Sequence, residues 1–226
     1  MSKTDPMPAT APGERARQRL WAEFALLFVA APLAMALALP PAALFPALFT
    51  LTALGLGLLH VTEGFHWREL GQGVRRIDWR AVLIFAAVTL AVALAVVFAT
   101  APSSAFSLVR ERPVLFAMIV LLYPPLSALP QEIVFRPLFF RRYGALLPGL
   151  WPAIALNAGL FSLAHLMYWS WIVAAMTFCG GLAFGWAYEA RRNFPMAVAM
   201  HSIAGWVLFA VGLGVFFYSG NVTRPF

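Results

Sequence analysis

Charged residues are scarce in this chain. They make up 11% of its 226 residues, whereas hydrophobic residues make up 62% and the mean hydropathy is +0.81. A soluble domain carries roughly 25% charged residues to keep its surface in water. The shortage excludes an ordinary soluble globular protein, and the long apolar runs indicate an integral membrane protein. At this length we expect one membrane domain with short loops.

Cysteine is nearly absent as well. The single residue, Cys179, lies in an apolar run and has no partner for an intrachain disulfide. A lone thiol in such a run is more often a packing group than a nucleophile. The sequence shows no Cys/His cluster with metal-site spacing, and no serine forms a recognisable nucleophile elbow. These absences disfavour a structural metal site and an acyl-enzyme mechanism.

The basic residues point to membrane orientation rather than to a nucleic-acid partner. The net charge is +7, but the Lys and Arg residues sit beside the apolar segments. Eleven or twelve of them fall in the N-terminal tail and in alternate loops, and only three fall on the other side. The side richer in Lys and Arg faces the cytoplasm. We therefore expect a cytoplasmic N-terminus, an external C-terminus and no nucleic-acid partner.

The apolar runs predict an all-α fold, a polytopic transmembrane helical bundle of about seven spans. Most runs reach the ~20 residues that cross a ~30 Å hydrocarbon core. We predict a disordered cytoplasmic tail (1–19), N-terminal spans with an interfacial loop (20–112) and a catalytic membrane core (113–218). The predicted spans are Leu20–Leu39, Ala42–His60, Arg80–Thr100, Pro113–Phe140, Gly149–Met167, Ser170–Glu189 and Pro195–Tyr218.

Ionisable side chains inside the last four spans are the main functional signal. Charge in the bilayer costs several kcal/mol or more, so each such residue needs a partner or a role. Glu132 and Arg136 are four residues apart and share a helical face, while Gln131 points about 100° away. His165 and His201 lie on later spans. A simple structural ion pair is the alternative interpretation of Glu132 and Arg136.

Together these residues favour proton-transfer chemistry. A carboxylate and a histidine can take a proton from water and deliver one to a leaving amine. A neighbouring arginine can keep the carboxylate ionised. A second histidine or an amide can stabilise the oxyanion that forms on an attacked carbonyl. The sequence therefore favours direct attack by activated water.

Three short motifs resemble those of the CPBP family, which groups CAAX prenyl endopeptidases with bacterial Abi and bacteriocin-processing proteins. Gln131–Arg136 is similar to its Glu-Glu-x-x-x-Arg motif. Phe161–His165 matches its Phe-x-x-x-His motif, and Gly181–Tyr188 followed by His201 matches its third block. The resemblance covers about residues 114–213.

The resemblance implies an intramembrane, glutamic-type protease that cleaves a membrane-anchored or lipidated protein near its C-terminus. Glu132 and His165 would then activate water, His201 would stabilise the oxyanion, and Gln131 and Arg136 would complete the site. No cofactor is implied, although a divalent metal stays an open alternative. The expected partners are this substrate and the lipid bilayer, and the expected location is the bacterial inner membrane.

Two positions depart from the family pattern. The first glutamate of the first motif is Gln131, and the asparagine expected four residues after the last histidine is Gly205. Glutamine cannot act as a base, so either Glu132 takes that role or the protein has lost proteolysis. Ser202 and Asn157 are candidates to replace the missing amide. A non-catalytic membrane scaffold is the main alternative, and a proton-coupled carrier ranks below it.

Helix rise exposes a conflict of depth between the candidate residues. With the predicted span limits, His165 lies ~20 Å from the level of Glu132 along its helix, whereas catalysis requires hydrogen-bond reach. We expect the conflict to be resolved by a loop at 143–152 that dips into the membrane, with the fifth span beginning near Ala153. A break of the fourth span at Pro124–Pro125 is the other possibility.

Overall fold

The computed structural model describes residues 13–222 and residue 224, and within them the chain is all-helical. The runs between loops are dominated by the apolar residues Leu, Ala, Val and Phe. They form helices because a helix satisfies its backbone hydrogen bonds internally, as lipid requires. Seven long helices are labelled α1 to α7. They are α1 (Glu14–Ala38), α2 (Leu44–His60), α3 (Trp79–Thr100), α4 (Pro113–Arg142), α5 (Leu150–Tyr168), α6 (Trp171–Ala190) and α7 (Phe194–Val211).

Six of these helices are long and apolar enough to cross a membrane. The exception is α2, which is apolar but has only 17 residues. The all-α polytopic bundle predicted from the sequence is confirmed, while the seventh span and the cytoplasmic N-terminus stay predictions. Short helices at Trp67–Gly71 and Val74–Arg76 occupy the predicted interfacial loop between α2 and α3.

The N-terminal boundary differs from the sequence prediction. Residues 1–12 of the predicted disordered tail lie outside the described residues, but α1 already begins at Glu14. Glu14 lies in the first turn, where a negative charge is favourable. Arg19 donates to Glu23 at 2.9 Å, an i,i+4 pair that supports the helix. Local charge pairing therefore extends the helix into a segment too polar to be predicted as a span.

The polarity of the bundle is inverted relative to a soluble protein. Large apolar side chains are exposed on its outside, including Leu83, Ile84 and Leu121. By contrast, Glu132 and Arg136 are completely buried. Such an apolar exterior is stable in lipid and would aggregate in water. The chain is therefore an integral membrane protein that encloses this ion pair within its bundle. Cys179 is exposed on the bundle rather than buried.

The path of α4 corrects the predicted break at Pro124–Pro125. These prolines begin a π-helical turn, Pro124–Ala128, and the α-helix resumes at Leu129. Proline removes a backbone donor and strains the preceding turn, and the wider π-turn accommodates both effects. The helix therefore changes from α-type to π-type hydrogen bonding at these prolines and continues.

The structure also corrects two other boundaries. The fifth span begins at Leu150, not near Ala153, after a short 3₁₀ turn at Gly144–Leu146. The last span ends at Val211, well before the predicted Tyr218, because Gly212 adopts φ 110° and the last carbonyl accepts from the Phe106 amide at 2.9 Å. A Cβ at position 212 would overlap the Ser104 carbonyl, so glycine is needed there.

Helices α5 and α6 pack closely because a glycine lies between them. A Cβ at Gly181 would lie 2.9 Å from the Cα of Ala158. Small residues let membrane helices approach and gain van der Waals contact. This contact fixes α5, which carries His165, against α6.

We expect Gly181→Leu to lower the free energy of unfolding by about 1–3 kcal/mol, as overpacking does. The measurement is equilibrium unfolding in mixed micelles. Gly159→Ala is the matched control on α5, because nothing lies within 4 Å of a Cβ there. Equal stability of the two variants would show that the close approach is unimportant.

Candidate functional site

The charged centre of the bundle is a buried ion pair on α4. Arg136 Nε donates to Glu132 Oε2 at 2.9 Å, and both side chains are fully buried. The remaining guanidinium nitrogens are also occupied. Nη1 donates to the Asn157 side-chain oxygen and to the Phe135 carbonyl at 3.3 Å, and Nη2 donates to Glu132 Oε1 at 3.4 Å. Asn157 in turn donates to that carbonyl at 2.7 Å. This network satisfies two buried charges and ties α4 to α5.

The second oxygen of the carboxylate holds a histidine. Glu132 Oε1 lies 2.9 Å from His201 Nδ1, which joins residues 69 apart in the chain. The imidazole stacks on Phe184 with centroids 4.8 Å apart and meets the edge of Phe161 at 5.6 Å. Because a carboxylate only accepts, Nδ1 is the donor and Nε2 is left as an acceptor. Glu132 therefore fixes both the orientation and the tautomer of His201.

His165 lies near the end of α5 and is oriented by its own helix. Its Nδ1 lies 2.8 Å from the Phe161 carbonyl, which can only accept, so Nε2 is again the free acceptor. The ring contacts Phe161 at 4.7 Å and stacks near Tyr168 at 6.1 Å. Phe161 thus contacts both imidazoles, and in the described part of the chain no hydrogen bond joins His165 to Glu132.

Gln131 points away from its neighbour Glu132, as the helical period predicts. Its Nε2 donates to Ser127 Oγ at 2.9 Å, one turn earlier on α4. Glu132 is fully buried behind His201, whereas Gln131 is half-buried and lines a cavity. The glutamate and the glutamine therefore occupy different environments.

Tyr123 occupies the space beside Gly205. A Cβ at position 205 would overlap the tyrosine ring, and the nearest ring atoms are those at its hydroxyl end. Gly205 lies one turn beyond His201 on α7, and the Tyr123 ring meets the His201 ring at 6.0 Å, edge to face. Because Gly205 has no side chain, the Tyr123 ring has room to lie next to His201.

The two candidate replacements for the expected amide are engaged elsewhere. Asn157 is fully buried in the Arg136 network. Ser202 donates to the Val198 carbonyl of its own helix at 2.8 Å. Neither side chain lines the cavity.

A cavity of about 890 Å³ connects these residues. All seven long helices contribute to its wall, which is mostly apolar. Ligand sites in proteins have this character, with a few polar groups that fix the orientation of the ligand. The polar side chains in its lining include those of Tyr123, Ser127, Gln131, His165, Tyr168 and His201.

The structure arranges the five candidate residues from the sequence in two layers. Glu132 and Arg136 form a buried layer, and Gln131, His165 and His201 line the cavity. Tyr123 and Ser127 also line the cavity, and they were not among the candidates from the sequence. Their four-residue spacing ahead of Gln131 places all three on one helical face, and this signal was available in the sequence.

A metal site of the usual kind is not formed by residues 13–222, since no three His, Cys, Asp or Glu side chains cluster there. The buried acid is occupied by arginine and histidine. The absence of a required cofactor stays a prediction.

The comparisons with known proteins agree with these motifs. The family model for type II CAAX prenyl endopeptidase Rce1-like proteins matches residues 110–207. No curated protein and no solved structure matches the chain. The matched segment contains α4 to most of α7 and every charged or imidazole group of the candidate site. Over residues 110–207, this membrane protein is similar to the Rce1-like family of type II CAAX prenyl endopeptidases.

Proposed function

We propose that this protein is an intramembrane endopeptidase that hydrolyses a membrane-anchored or lipidated protein near its C-terminus. The observation that carries the proposal is the 2.9 Å contact between Glu132 and His201 at the wall of the membrane cavity. The family match supports the class of reaction. The apolar wall supports a substrate that enters from the lipid, and we propose the bacterial inner membrane as its location.

The proposed mechanism uses Glu132 through His201. The carboxylate orients the imidazole and stabilises the imidazolium that forms when Nε2 takes a proton from water, as in other carboxylate–histidine pairs. Arg136 supplies the positive charge that balances the carboxylate in the bilayer. The mechanism is glutamic-type because the glutamate provides the charge, although the imidazole moves the proton.

His165 completes the water site. Its free Nε2 and that of His201 are both acceptors, and both rings contact Phe161 and line the same cavity. A water that donates to both nitrogens has its oxygen lone pairs free for the substrate carbonyl. That oxygen bonds to the carbonyl carbon, the peptide C–N bond breaks, and the proton on His201 passes to the leaving amine. We keep Glu132 and His165 in the water-activating group predicted from the sequence. We propose proton transfer for His201 in place of the predicted oxyanion stabilisation, because its Nδ1 lies against the Glu132 carboxylate.

A non-catalytic scaffold is the competing function. Gln131 in the cavity favours it, since an amide cannot serve as a base. It predicts no turnover by the wild-type protein on any anchored substrate, with binding retained.

The deciding experiment uses the purified full chain in liposomes and a reporter peptide with a farnesylated C-terminal C-a-a-X sequence. Release of the terminal tripeptide is followed by mass spectrometry. We expect turnover by the wild type, its loss in His201→Ala, and normal turnover in Ser202→Ala, whose hydroxyl bonds only to its own helix. No wild-type turnover, on this peptide or on a transmembrane reporter, would favour the scaffold.

His165→Gln should lower kcat by about 10²-fold or more, the usual scale for a group that takes part in proton transfer. Glutamine keeps polarity at the position but presents no basic nitrogen. His66→Gln is the matched control, because this histidine is exposed in the α2–α3 loop. Turnover in His165→Gln equal to that of His66→Gln would remove His165 from the water site.

A further inference from the structure

The mechanism above leaves one chemical requirement unassigned, a hydrogen-bond donor for the oxyanion. When water attacks a carbonyl, negative charge develops on the carbonyl oxygen, and preorganised donors stabilise it. The two imidazoles present acceptor nitrogens before the proton transfer. Arg136 is fully buried in its own network. The donor must come from another polar side chain on the cavity wall.

Tyr123 has the required position. Its ring lies against Gly205, one turn beyond His201, with the hydroxyl end of the ring nearest to the glycine. It contacts the His201 ring edge to face at 6.0 Å, and it lines the cavity. A phenol is a good hydrogen-bond donor that stays protonated at neutral pH.

The hydrogen bonds along α4 set the direction in which this phenol donates. Gln131 Nε2 donates to Ser127 Oγ at 2.9 Å. The Ser127 side chain interacts with the Tyr123 phenol one turn earlier. A serine hydroxyl that accepts from the amide has its own hydrogen available for the phenol oxygen, which leaves the phenol hydrogen free. The series can therefore run from Gln131 through Ser127 to Tyr123 with the phenol hydrogen left for a ligand.

We propose that Tyr123 is a catalytic residue of this site, whose phenol O–H donates a hydrogen bond to the oxyanion, and that Gln131 is a positioning residue that acts through Ser127. The proposal rests on the endopeptidase function proposed above. No proton leaves the phenol, so the balance of the hydrolysis is unchanged. Tyr123 strengthens its hydrogen bond as the carbonyl oxygen gains charge, which lowers the energy of the transition state more than that of the bound substrate.

The proposal gives a physical role to both departures from the family motifs. Gly205 lacks the side chain that would otherwise fill the position of the Tyr123 ring. Glutamine at 131 can donate to Ser127, whereas a glutamate carboxylate would accept from it and turn the serine hydrogen away from the phenol. The two substitutions therefore belong to one arrangement.

The first test compares Tyr123→Phe with Tyr188→Phe, a tyrosine of α6 that does not line the cavity. With the farnesylated reporter in liposomes, we expect Tyr123→Phe to lower kcat by about 10²- to 10³-fold, as loss of one oxyanion donor does. KM should stay within about twofold, because the contact is made in the transition state. An unchanged kcat in Tyr123→Phe would overturn the proposal.

A binding experiment separates this role from a structural one. A phosphinate analogue of the reporter carries the tetrahedral, anionic centre of the transition state. Its affinity for Tyr123→Phe should fall in parallel with kcat/KM, whereas affinity for the cleaved product peptide should not change. Parallel loss of both affinities would mean that Tyr123 only shapes the cavity, and would overturn the proposal.

Gln131→Glu tests the direction of the hydrogen bonds. We expect kcat to fall by about tenfold, the effect of one misdirected hydrogen bond. Higher turnover than the wild type would mean that an acid at 131 is a better base, and would overturn the positioning role. Wild-type turnover with an unaffected Tyr123→Phe removes this inference alone, while absence of wild-type turnover removes the proposed function together with it.

Discussion

Replacing Glu132 with glutamine should lower kcat by about 10³- to 10⁴-fold, the scale known for amide replacement of a carboxylate that orients a catalytic histidine. The amide cannot stabilise the imidazolium, and its NH₂ group can donate to His201 Nδ1. The imidazole would then carry its hydrogen on Nε2, where a water must be deprotonated. The fold of the cavity wall would be kept, but His201 Nε2 would no longer be able to accept a proton from water.

This experiment needs a control for charge and a control for folding. Glu189→Gln removes a carboxylate at the end of α6 that pairs with Arg192 at 3.2 Å, outside the cavity, and it should retain activity. The folded fraction of Glu132→Gln is measured by size-exclusion chromatography before the assay, and rates are normalised to it. Activity of the folded Glu132→Gln protein within tenfold of wild type would contradict the role given to Glu132.

Arg136→Met should lower the free energy of unfolding by about 3–5 kcal/mol, because it leaves the Glu132 carboxylate in the bundle without its cation. The loss extends to α5, since the Asn157 oxygen loses its donor as well. The measurement is equilibrium unfolding in mixed micelles. The surface variant Arg141→Met, which breaks a partly exposed pair with Glu69, should cost less than about 1 kcal/mol.

A double variant separates the ion pair's role in stability from its role in catalysis. Glu132→Leu combined with Arg136→Met removes both charges, and apolar replacement of a whole buried pair is often neutral for stability. We expect this protein to recover most of the lost stability and to remain inactive. An Arg136→Met variant as stable as Arg141→Met would show that the pair is not the electrostatic centre of the bundle.

The depth conflict shows where helix arithmetic from sequence fails. Measured along the helices, Glu132 lies ten residues before the end of α4 and His165 fifteen residues after the start of α5. At ~1.5 Å per residue these depths are ~15 and ~22 Å, so the mismatch is far smaller than the predicted ~20 Å. With the predicted limits Phe140 and Gly149 the same depths are ~12 and ~24 Å, so the boundaries account for only ~5 Å of the difference, and the dipping loop at 143–152 stays a prediction.

The sequence by itself determined the environment and the local chemistry. Low charge and long apolar runs required a membrane bundle, and the four-residue spacing of Glu132 and Arg136 required them to share one face, because both effects act within a single helix. The three motifs also predicted His165 and His201 as site residues.

Only the tertiary structure decided which of these groups meet. It paired Glu132 with His201 from another helix, turned Gln131 rather than Glu132 toward the cavity, and placed Tyr123 against Gly205. Contacts between helices depend on how each helix is rotated and how closely small residues allow it to approach, and these quantities are set by the packing of the whole bundle.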